Sequence, residues 1–145
     1  MKEILFKALT KEGKWVEGYY VKDILKRGWA DNPEIFELHY IYYNQEDYPH
    51  YLVKQSIIPE SICQYAGLKD KNGNKIFEGD IVKYDNGAYQ QVWTETYIEY
   101  GNERGYPAFD LAEHDFDSNG LSWINENGYE IEIIGNIHAE ATDDK

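Results

Sequence analysis

An all-β protein, built mainly from short strands, is the fold class that this sequence predicts. Among its 145 residues are 14 Tyr, 5 Phe and 4 Trp, together with many Ile and Val. Aromatic and β-branched side chains favour the pleated, half-buried surfaces of sheets. Runs of these residues alternate with short segments rich in Gly, Asn and Asp, which are typical of turns. We therefore expect strands to outnumber helices, with an N-terminal β-meander region followed by a small C-terminal β-barrel.

Four β-prone runs are predicted as strands in the first half of the chain: Ile4–Leu9, Lys14–Val21, Glu34–Tyr43 and Tyr51–Ile58. The first two flank a short loop that ends in Gly13, which is typical of a hairpin. Residues 22–33 lack a regular alternation and predict a turn or a single helical turn. Pro59 ends the fourth run, because proline cannot continue a central ladder. Together these strands would form a β-meander over residues 1–63.

The second half predicts five short strands, in the segments 81–84, 88–100, 106–111, 121–124 and 129–138, with a bend at Gly79-Asp80 before the first. Turn-forming residues separate them, such as Asn86-Gly87 and the acidic loop of residues 115–120. Asn-Gly is a strong hairpin signal, because both residues tolerate a positive φ. Short strands joined by glycine-bearing turns are typical of a small closed barrel. We therefore assign residues 64–145 to a C-terminal barrel, with one integrated domain as the alternative to two.

The formal net charge of −13 is confined to the second half of the chain. Residues 1–75 contain eleven basic and eleven acidic side chains, whereas residues 76–145 contain three basic and sixteen acidic ones. Such a surface repels nucleic-acid phosphates, which disfavours direct binding to DNA or RNA. It suits a basic protein partner or metal cations, and it is also typical of a solvated, soluble surface.

Motif spacing argues against an enzyme. The four histidines are scattered along the chain, and the sequence contains no zinc, nucleotide-binding or serine-hydrolase motif. Cys63 is the only cysteine and has apolar neighbours, which predicts a buried, inert thiol and no disulfide. No apolar run approaches the ~20 residues of a membrane span. We therefore expect a soluble cytoplasmic protein without a cofactor.

One acidic segment fits a calcium-binding loop of the pattern D-x-[DN]-x-[DN]-G-x5-E. Its candidate ligands are Asp115, Asp117, Asn119 and Glu126. Alternating oxygen ligands and a distal glutamate suit Ca²⁺. Against this, Ser122 stands where such loops carry an aliphatic residue, and the following segment predicts a strand instead of an exiting helix. We interpret the segment as a solvated acidic turn, with the calcium site as the alternative.

The stretch Gln64–Tyr84, QYAGLKDKNGNKIFEGDIVKY, contains two apolar runs around turn-forming residues. Glu78 and Asp80 place two carboxylates close together, as acid–base chemistry can require. Their position at a glycine bend has a simpler explanation, since Asp accepts local backbone N–H bonds in turns. We interpret the polar and glycine residues of this stretch, and two near the C-terminus, as structural: Gly67, Asp70, Gly73, Glu78, Gly79, Asp80, Gly135 and Asn136.

The order of these segments resembles the YopX family of phage and prophage proteins. The resemblance begins at Phe6-Lys7-Ala8, is strongest over Gln64–Gly73, continues over Ile76–Val82 and closes at Ile134–His138. Ala66 departs from the Thr that is usual in the family, which alters one local hydrogen bond at most. The resemblance implies an N-terminal β region, a C-terminal SH3-like barrel and a phage or prophage origin. It implies no settled activity and supplies no catalytic residues.

These features predict a non-enzymatic phage accessory protein that acts through protein–protein contacts. The partner would be a host or phage protein, and exposed Tyr and Trp faces would also allow a homo-oligomer. In one alternative, the acidic half mimics nucleic-acid phosphates and occupies a host DNA-binding protein. In the other, the chain is a calcium-binding β protein.

Overall fold

The computed structural model describes residues 4–45, 48–85, 93–101, 108–114, 116 and 119–139. The chain divides into two units, which we call the N-terminal unit, Ile4–Cys63, and the C-terminal unit, Gln64–Lys145. The described part of both units consists mainly of antiparallel strands, which confirms the mainly β fold class. Within these residues, no helix has the length and apolar character needed to cross a lipid bilayer.

A β-meander forms the described part of the N-terminal unit, with the strand order β4-β3-β2-β1. The strands are β1 Phe6–Leu9, β2 Trp15–Trp29, β3 Asn32–Gln45 and β4 Tyr48–Ser56. A 3-10 turn, Pro59–Ser61, follows β4. The Ser61 hydroxyl accepts a hydrogen bond from Leu9 N (2.8 Å) and donates one to Ile58 O (2.7 Å). The first bond holds the turn against β1, and the second closes the turn on itself.

The N-terminal core lies at one end of the hairpin formed by β2 and β3. Its buried residues are Ala8, Ile41 and Ile57, and five half-buried side chains pack around them: Phe6, Val16, Tyr20, Tyr43 and Ile62. Gly18 approaches β3 so closely that a Cβ at this position would clash with the Tyr42 carbonyl oxygen. The last residue that β2 contributes to this core is Tyr20, and the first that β3 contributes is Ile41. The rest of the hairpin extends beyond it.

In the C-terminal unit, β5 (Cys63–Lys69) and β6 (Lys75–Phe77) form a hairpin. A four-stranded antiparallel sheet has the order β10-β7-β8-β9. Its strands are β7 Asp80–Asp85, β8 Trp93–Tyr100, β9 Phe109–Leu111 and β10 Ile131–Asn136. The helix α1, Gly120–Glu126, lies between β9 and β10 in the chain. Among the described residues no pairing closes this sheet into a barrel, so the SH3-like barrel is not confirmed.

One apolar core holds the C-terminal unit together. Its buried residues come from the strands and from α1: Ile76, Val82, Tyr84, Ile98, Leu111, Leu121, Ile124 and Ile131. The helix contributes Leu121 and Ile124, which are three residues apart and therefore share one helix face. Complete burial of such a side chain contributes roughly 1.5–3 kcal/mol. Shared burial explains how strands this short, which are marginal by themselves, form a stable sheet.

Two segments differ from what their local sequence predicts. Residues 22–29, predicted as a turn or a helical turn, continue β2, and they are paired with β3 as far as Trp29 opposite Asn32. Residues 121–124, predicted as a strand, belong to α1. In both segments, tertiary contacts override a weak local pattern: cross-strand pairing in the first and burial of Leu121 and Ile124 in the second.

Candidate functional site

The β2–β3 hairpin extends into solvent as an arm. We define the arm as residues 21–37, all of which are exposed. Its two strands stay paired along the whole length, from Val21 opposite Tyr40 to Trp29 opposite Asn32. Gly28, next to the connecting turn, has φ +96°, a conformation that favours glycine. Both faces of this two-stranded ribbon are therefore open to water.

Six large apolar side chains of the arm are exposed: Val21, Ile24, Leu25, Trp29, Ile35 and Phe36. Directly paired residues share a face, so Leu25 and its partner Phe36 lie on one face together with Trp29. Ile24 and Ile35 lie on the opposite face. Trp29 is the most exposed of the six, at 85%. Single exposed apolar residues are normal on a soluble protein, but a concentration of them marks an interaction surface.

A polar network holds the base of the arm. The Tyr20 hydroxyl lies 2.6 Å from His39 Nδ1, and their rings stack with centroids 5.9 Å apart. His39 Nε2 is 3.5 Å from the Glu37 carboxylate, which is also 3.2 Å from the Lys22 ammonium. The hydrogen bond and the charge of Lys22, helped by His39, lower the pKa of Glu37 below its ordinary value. The network connects side chains of β2 and β3 where the arm begins.

Asp70 organises the turn between β5 and β6 and connects it to β10. Its Oδ1 accepts hydrogen bonds from Asn72 N (3.0 Å) and Asn74 N (2.9 Å), and its Oδ2 accepts one from Ile133 N (3.1 Å). Gly73, in the same turn, has φ +83°. Burial raises the pKa of Asp70, but the three backbone N–H bonds together outweigh it, so the pKa lies below its ordinary value. Such contacts are those of a structural residue.

Asp80 and Asn136 form a buried polar pair. Asp80 is fully buried; its Oδ2 accepts a hydrogen bond from Phe77 N (2.7 Å) and its Oδ1 accepts one from Asn136 Nδ2 (2.9 Å). Gly79, with φ +86°, donates its N–H to Ile98 O at 2.7 Å. Because both oxygens of Asp80 are bonded and shielded from solvent, this carboxylate fixes the bend before β7. Its position beside Glu78 creates no acid–base pair that a substrate could reach.

The remaining residues of this set also lie at bends and strand contacts. Gly67, in β5, has φ +89°, which only glycine adopts without strain. Glu78 donates its N–H to Gln64 O at 2.8 Å, and burial raises the pKa of its carboxyl group. Gly135 lies directly after the register shift in β10 and pairs with Ile81. Backbone geometry therefore accounts for these positions.

Only part of the predicted calcium-binding loop lies among the described residues. Asp115 and Asp117 lie outside the described residues. Asn119 caps α1: its Oδ1 accepts a hydrogen bond from Ser122 N (2.9 Å), and its Nδ2 donates one to Phe109 O (2.9 Å). Glu126 is the exposed last residue of α1, on the helix that the sequence pattern had not predicted. Among the described residues, no group of three His, Cys, Asp or Glu side chains could hold a metal ion, and the calcium site stays a prediction.

Asp110 and His114 are two structural residues that sequence patterns missed. Asp110 is buried, and its Oδ1 accepts hydrogen bonds from Gly120 N (2.9 Å) and Leu121 N (3.2 Å), the first residues of α1. Its Oδ2 is 2.9 Å from His114 Nε2, while His114 Nδ1 accepts a hydrogen bond from Phe116 N (3.1 Å). Both ring nitrogens of His114 are thus occupied. The pair therefore anchors the helix and offers no nitrogen for general-base chemistry.

These features define a mainly β protein in which one unit presents an exposed apolar arm and the other is organised by buried carboxylates. The sequence matches the family model described as YopX protein over residues 10–142, and the chain belongs to this family. The structure is similar to the crystal structure of protein EF1440 from Enterococcus faecalis, with a TM-score of 0.50, 25% sequence identity and 97% of each chain covered. No curated protein matches the chain significantly. The predicted family is confirmed, and it brings no established activity.

Proposed function

We propose that this protein is a non-enzymatic protein–protein interaction module and that the arm of residues 21–37 is its contact surface. The observation that supports the proposal is the exposure of large apolar side chains on both faces of the arm. An isolated two-stranded hairpin is marginally stable in water. Packing another surface against its apolar side chains removes them from water and stabilises it. A partner that packs on the arm would supply that cover.

The composition of the arm fits a binding surface. Exposed aromatic residues near the centre of an interface often dominate its affinity, and the arm presents Trp29 and Phe36. Burying one such side chain contributes roughly 1.5–3 kcal/mol before the cost of association is subtracted. The paired backbone pre-organises these side chains, which reduces the entropy lost on binding.

The charges of the arm are nearly balanced. Its basic residues are Lys22, Lys26 and Arg27, and its acidic residues are Asp23, Asp31, Glu34 and Glu37. A balanced surface does not attract a partner by long-range electrostatics, so we expect apolar contacts to provide the affinity and salt to change it little. The same balance is compatible with a host or phage protein and with a second copy of this chain, since a two-fold interface must be self-complementary.

Variants of the arm test this proposal. The double variant Leu25→Ser, Trp29→Ser removes two large apolar side chains from one face without touching the core. Ile134→Ser, which removes an exposed side chain of β10, is the matched control. Each protein is tagged, used as bait in bacterial lysate, and examined separately by light scattering for self-association.

The wild-type protein and the Ile134→Ser control should retain a specific protein or self-associate. The arm variant should lose at least about tenfold in affinity, as expected when hot-spot residues are truncated. An arm variant that binds and assembles like the wild type would refute the proposal.

We further propose that the C-terminal unit is a variant of an SH3-like barrel and that the protein is a cytoplasmic phage or prophage product. The first part is supported by the short antiparallel strands β7 to β10 around one core, with α1 packed on it. The second part is supported by membership of the YopX family. An experimental structure that includes residues 86–92 and 102–107 tests the first part, and fractionation of a lysogenic host tests the second.

A further inference from the structure

Strand β2 has one long edge that no described strand covers. β1 pairs with β2 only over residues 15–18, and β3 lies on the other side of β2. The edge from Val21 to Trp29 therefore has no strand beside it among the described residues. It contains no proline, and its pairing with β3 continues without a register shift. Unpaired N–H and C=O groups along such an edge form a template on which another strand can add.

The backbone of β3 shows which residues of β2 direct their polar groups toward this edge. His39 is paired with Lys22, and its carbonyl oxygen accepts a hydrogen bond from Ile57 N (3.2 Å), on the side away from β2. The Lys22–His39 pair is therefore a non-hydrogen-bonded pair of the β2–β3 ladder, in which such pairs alternate with hydrogen-bonded ones. By this alternation, the N–H and C=O groups that point away from β3 include those of Lys22, Ile24 and Lys26.

The opposite edge of the arm is less suited to pairing. β4 covers β3 from Tyr40 to Gln45, which leaves only the short segment 32–38 open. Within this segment, Pro33 has no N–H to offer to a further strand. Short length and proline are two ways in which natural sheets block an edge. The β2 edge has neither, so it is the open edge of the arm.

A second copy of the β2 edge fits against the first in one register. Two identical antiparallel edges related by a two-fold axis pair around a residue that faces its own copy. With Leu25 at that centre, Asp23 faces Arg27 of the second copy on both sides of the axis, and Val21 faces Trp29. These side chains share one face of the arm, because they alternate along β2. Opposite charges and apolar pairs directly across a ladder both stabilise it.

The neighbouring registers bring like charges together. With Ile24 at the centre, Lys22 faces Lys26 of the second copy, and with Asp23 or Lys26 at the centre, that residue faces its own charge. Like charges directly across a ladder destabilise it. In the favoured register, Lys26 is only a diagonal neighbour of Lys22 and Lys26 of the second copy. The Glu37 carboxylate, 3.2 Å from the Lys22 ammonium, offsets part of that repulsion.

Two further properties favour a second copy as the occupant. Residues 1–75 carry eleven basic and eleven acidic side chains, so two copies can approach through this part of the chain without net repulsion. An isolated two-stranded ribbon is marginally stable, whereas three or more strands with an apolar face are stable. Pairing of two arms gives a four-stranded sheet in which Phe36 and Leu25 of both copies form one apolar row.

We propose that two copies of this chain associate through the β2 edges of their arms and form a continuous antiparallel sheet centred on Leu25. The outward groups of residues 22–28 supply about six to eight backbone hydrogen bonds, since each hydrogen-bonded pair exchanges two. This number lies within the roughly 5–15 direct hydrogen bonds of a typical interface. The inference rests on the proposed function, in which the arm is a contact surface, and it names the second copy as the occupant.

Site-specific disulfides test the register in the full-length chain. Leu25→Cys places two cysteines directly opposite each other in a non-hydrogen-bonded pair, where the Cα atoms are about 4.5 Å apart and a disulfide can form. Ile24→Cys is the matched control, since its cysteines are diagonal neighbours about 7–8 Å apart, beyond the usual span of a disulfide. Cys63 is buried, and the wild-type protein controls for its reactivity.

Under mild oxidation, Leu25→Cys should form a covalent dimer at least about tenfold faster than Ile24→Cys, and the wild type should form none. Faster cross-linking of Ile24→Cys would place the two-fold axis elsewhere and overturn the register. Equal rates for the two variants would indicate random collisions and would overturn the proposal as well.

Charge reversal tests the contact between Asp23 and Arg27. Asp23→Arg should weaken the dimer at least about tenfold in sedimentation velocity at about 0.15 M salt, because two attractive pairs become repulsive. Adding Arg27→Asp should restore part of the affinity, and only part, because Glu34 lies opposite position 27 in the same chain. Asp31→Arg, an equal change in the exposed turn outside the paired segment, should dimerise like the wild type. Equal losses from Asp23→Arg and Asp31→Arg, or a double variant as weak as Asp23→Arg, would overturn the register.

The two proposals about the arm can fail separately. The wild type could remain monomeric at every concentration while Leu25→Ser, Trp29→Ser loses a partner captured from bacterial lysate. That result would overturn self-association and leave the arm as a contact surface for a different protein. A dimer that persists in the arm variant and in Asp23→Arg would overturn both proposals, since the arm would then take no part in it.

Discussion

The arm and the C-terminal unit use polar and apolar residues in opposite ways. In the arm, large apolar side chains face water, and a polar network of Tyr20, His39, Glu37 and Lys22 lies at its base. In the C-terminal unit, eight apolar side chains form a buried core, and Asp70, Asp80 and Asp110 accept hydrogen bonds from backbone N–H groups. The comparison indicates that the buried carboxylates and the core of the C-terminal unit stabilise the fold, whereas the arm adds little stability and presents side chains for binding. Substitutions in the two regions should therefore affect different measurements.

The largest loss of stability should come from Asp80→Ala. The change leaves Phe77 N and Asn136 Nδ2 as buried donors without their carboxylate partner. Each such group costs about 1–3 kcal/mol, so the free energy of unfolding should fall by about 2–6 kcal/mol in urea titrations. Glu113→Ala, at an exposed acidic residue, should change it by less than about 0.5 kcal/mol. Equal effects of the two substitutions would contradict a structural role for Asp80.

Gly120→Ala should have the next largest effect. A Cβ at this position would lie 2.8 Å from Phe116 Cδ2 and 2.9 Å from His114 Cγ. Crowding of this kind typically costs about 1–3 kcal/mol, and it would displace His114 from Asp110. Ser122→Ala, two residues further along α1, is exposed and should stay within about 0.5 kcal/mol of the wild type. Thermal unfolding that ranks the two variants in the reverse order would refute this packing.

Asp70→Asn should change how stability depends on pH. The pKa of Asp70 is lower in the folded chain than its ordinary value, so its ionised form stabilises the fold above the ordinary pKa. This contribution disappears as the pH falls through the lowered, folded-state pKa. The variant should be less stable by about 1–2 kcal/mol at neutral pH and should lose less stability on acidification. Urea unfolding from neutral to strongly acidic pH measures both effects, and parallel curves for the two proteins would show that Asp70 does not contribute.

The smallest change in stability should come from the arm. Leu25→Ser, Trp29→Ser removes exposed side chains that contact no core residue, so the free energy of unfolding should change by less than about 1 kcal/mol. The same variant should lose binding. A large destabilisation by this variant would mean that the arm is part of the folding core, and the contrast between the two regions would no longer hold.

The sequence predicts the turns and short hairpins of this fold, because the residues that form them are neighbours in the chain. The hairpin of β1 and β2 follows from two β-prone runs around Gly13, and the turn at Asp70 follows from Asn72-Gly73. The arm could not be predicted in this way, because residues 22–29 are held as a strand by their partners in β3 and lack a buried face that would impose alternation. The exposed apolar residues that define it were therefore visible only after pairing was known.

The helix α1 was missed for a related reason. Its N–H groups are satisfied partly by Asn119, which is local, and partly by Asp110, which is ten residues before Gly120. Besides Asn119 as a cap residue, the spacing of Asp110 and His114, four residues apart, was an available signal. A single Asp and His at that spacing are common, so the contact could be recognised only from the fold. The calcium-loop pattern covers the same segment and predicts Asn119 as a ligand instead of a helix cap.

The central claim is that residues 21–37 contact another protein, and site-specific photo-crosslinking in the bacterial host tests it most directly. The photoreactive residue p-benzoylphenylalanine replaces Trp29 in one protein and Tyr97, an exposed aromatic residue of β8, in the control. Irradiation should give a discrete covalent adduct from position 29, with another protein or with a second copy of the chain, and none of the same mass from position 97. Absence of an adduct at position 29, or the same adduct from both positions, would contradict the account.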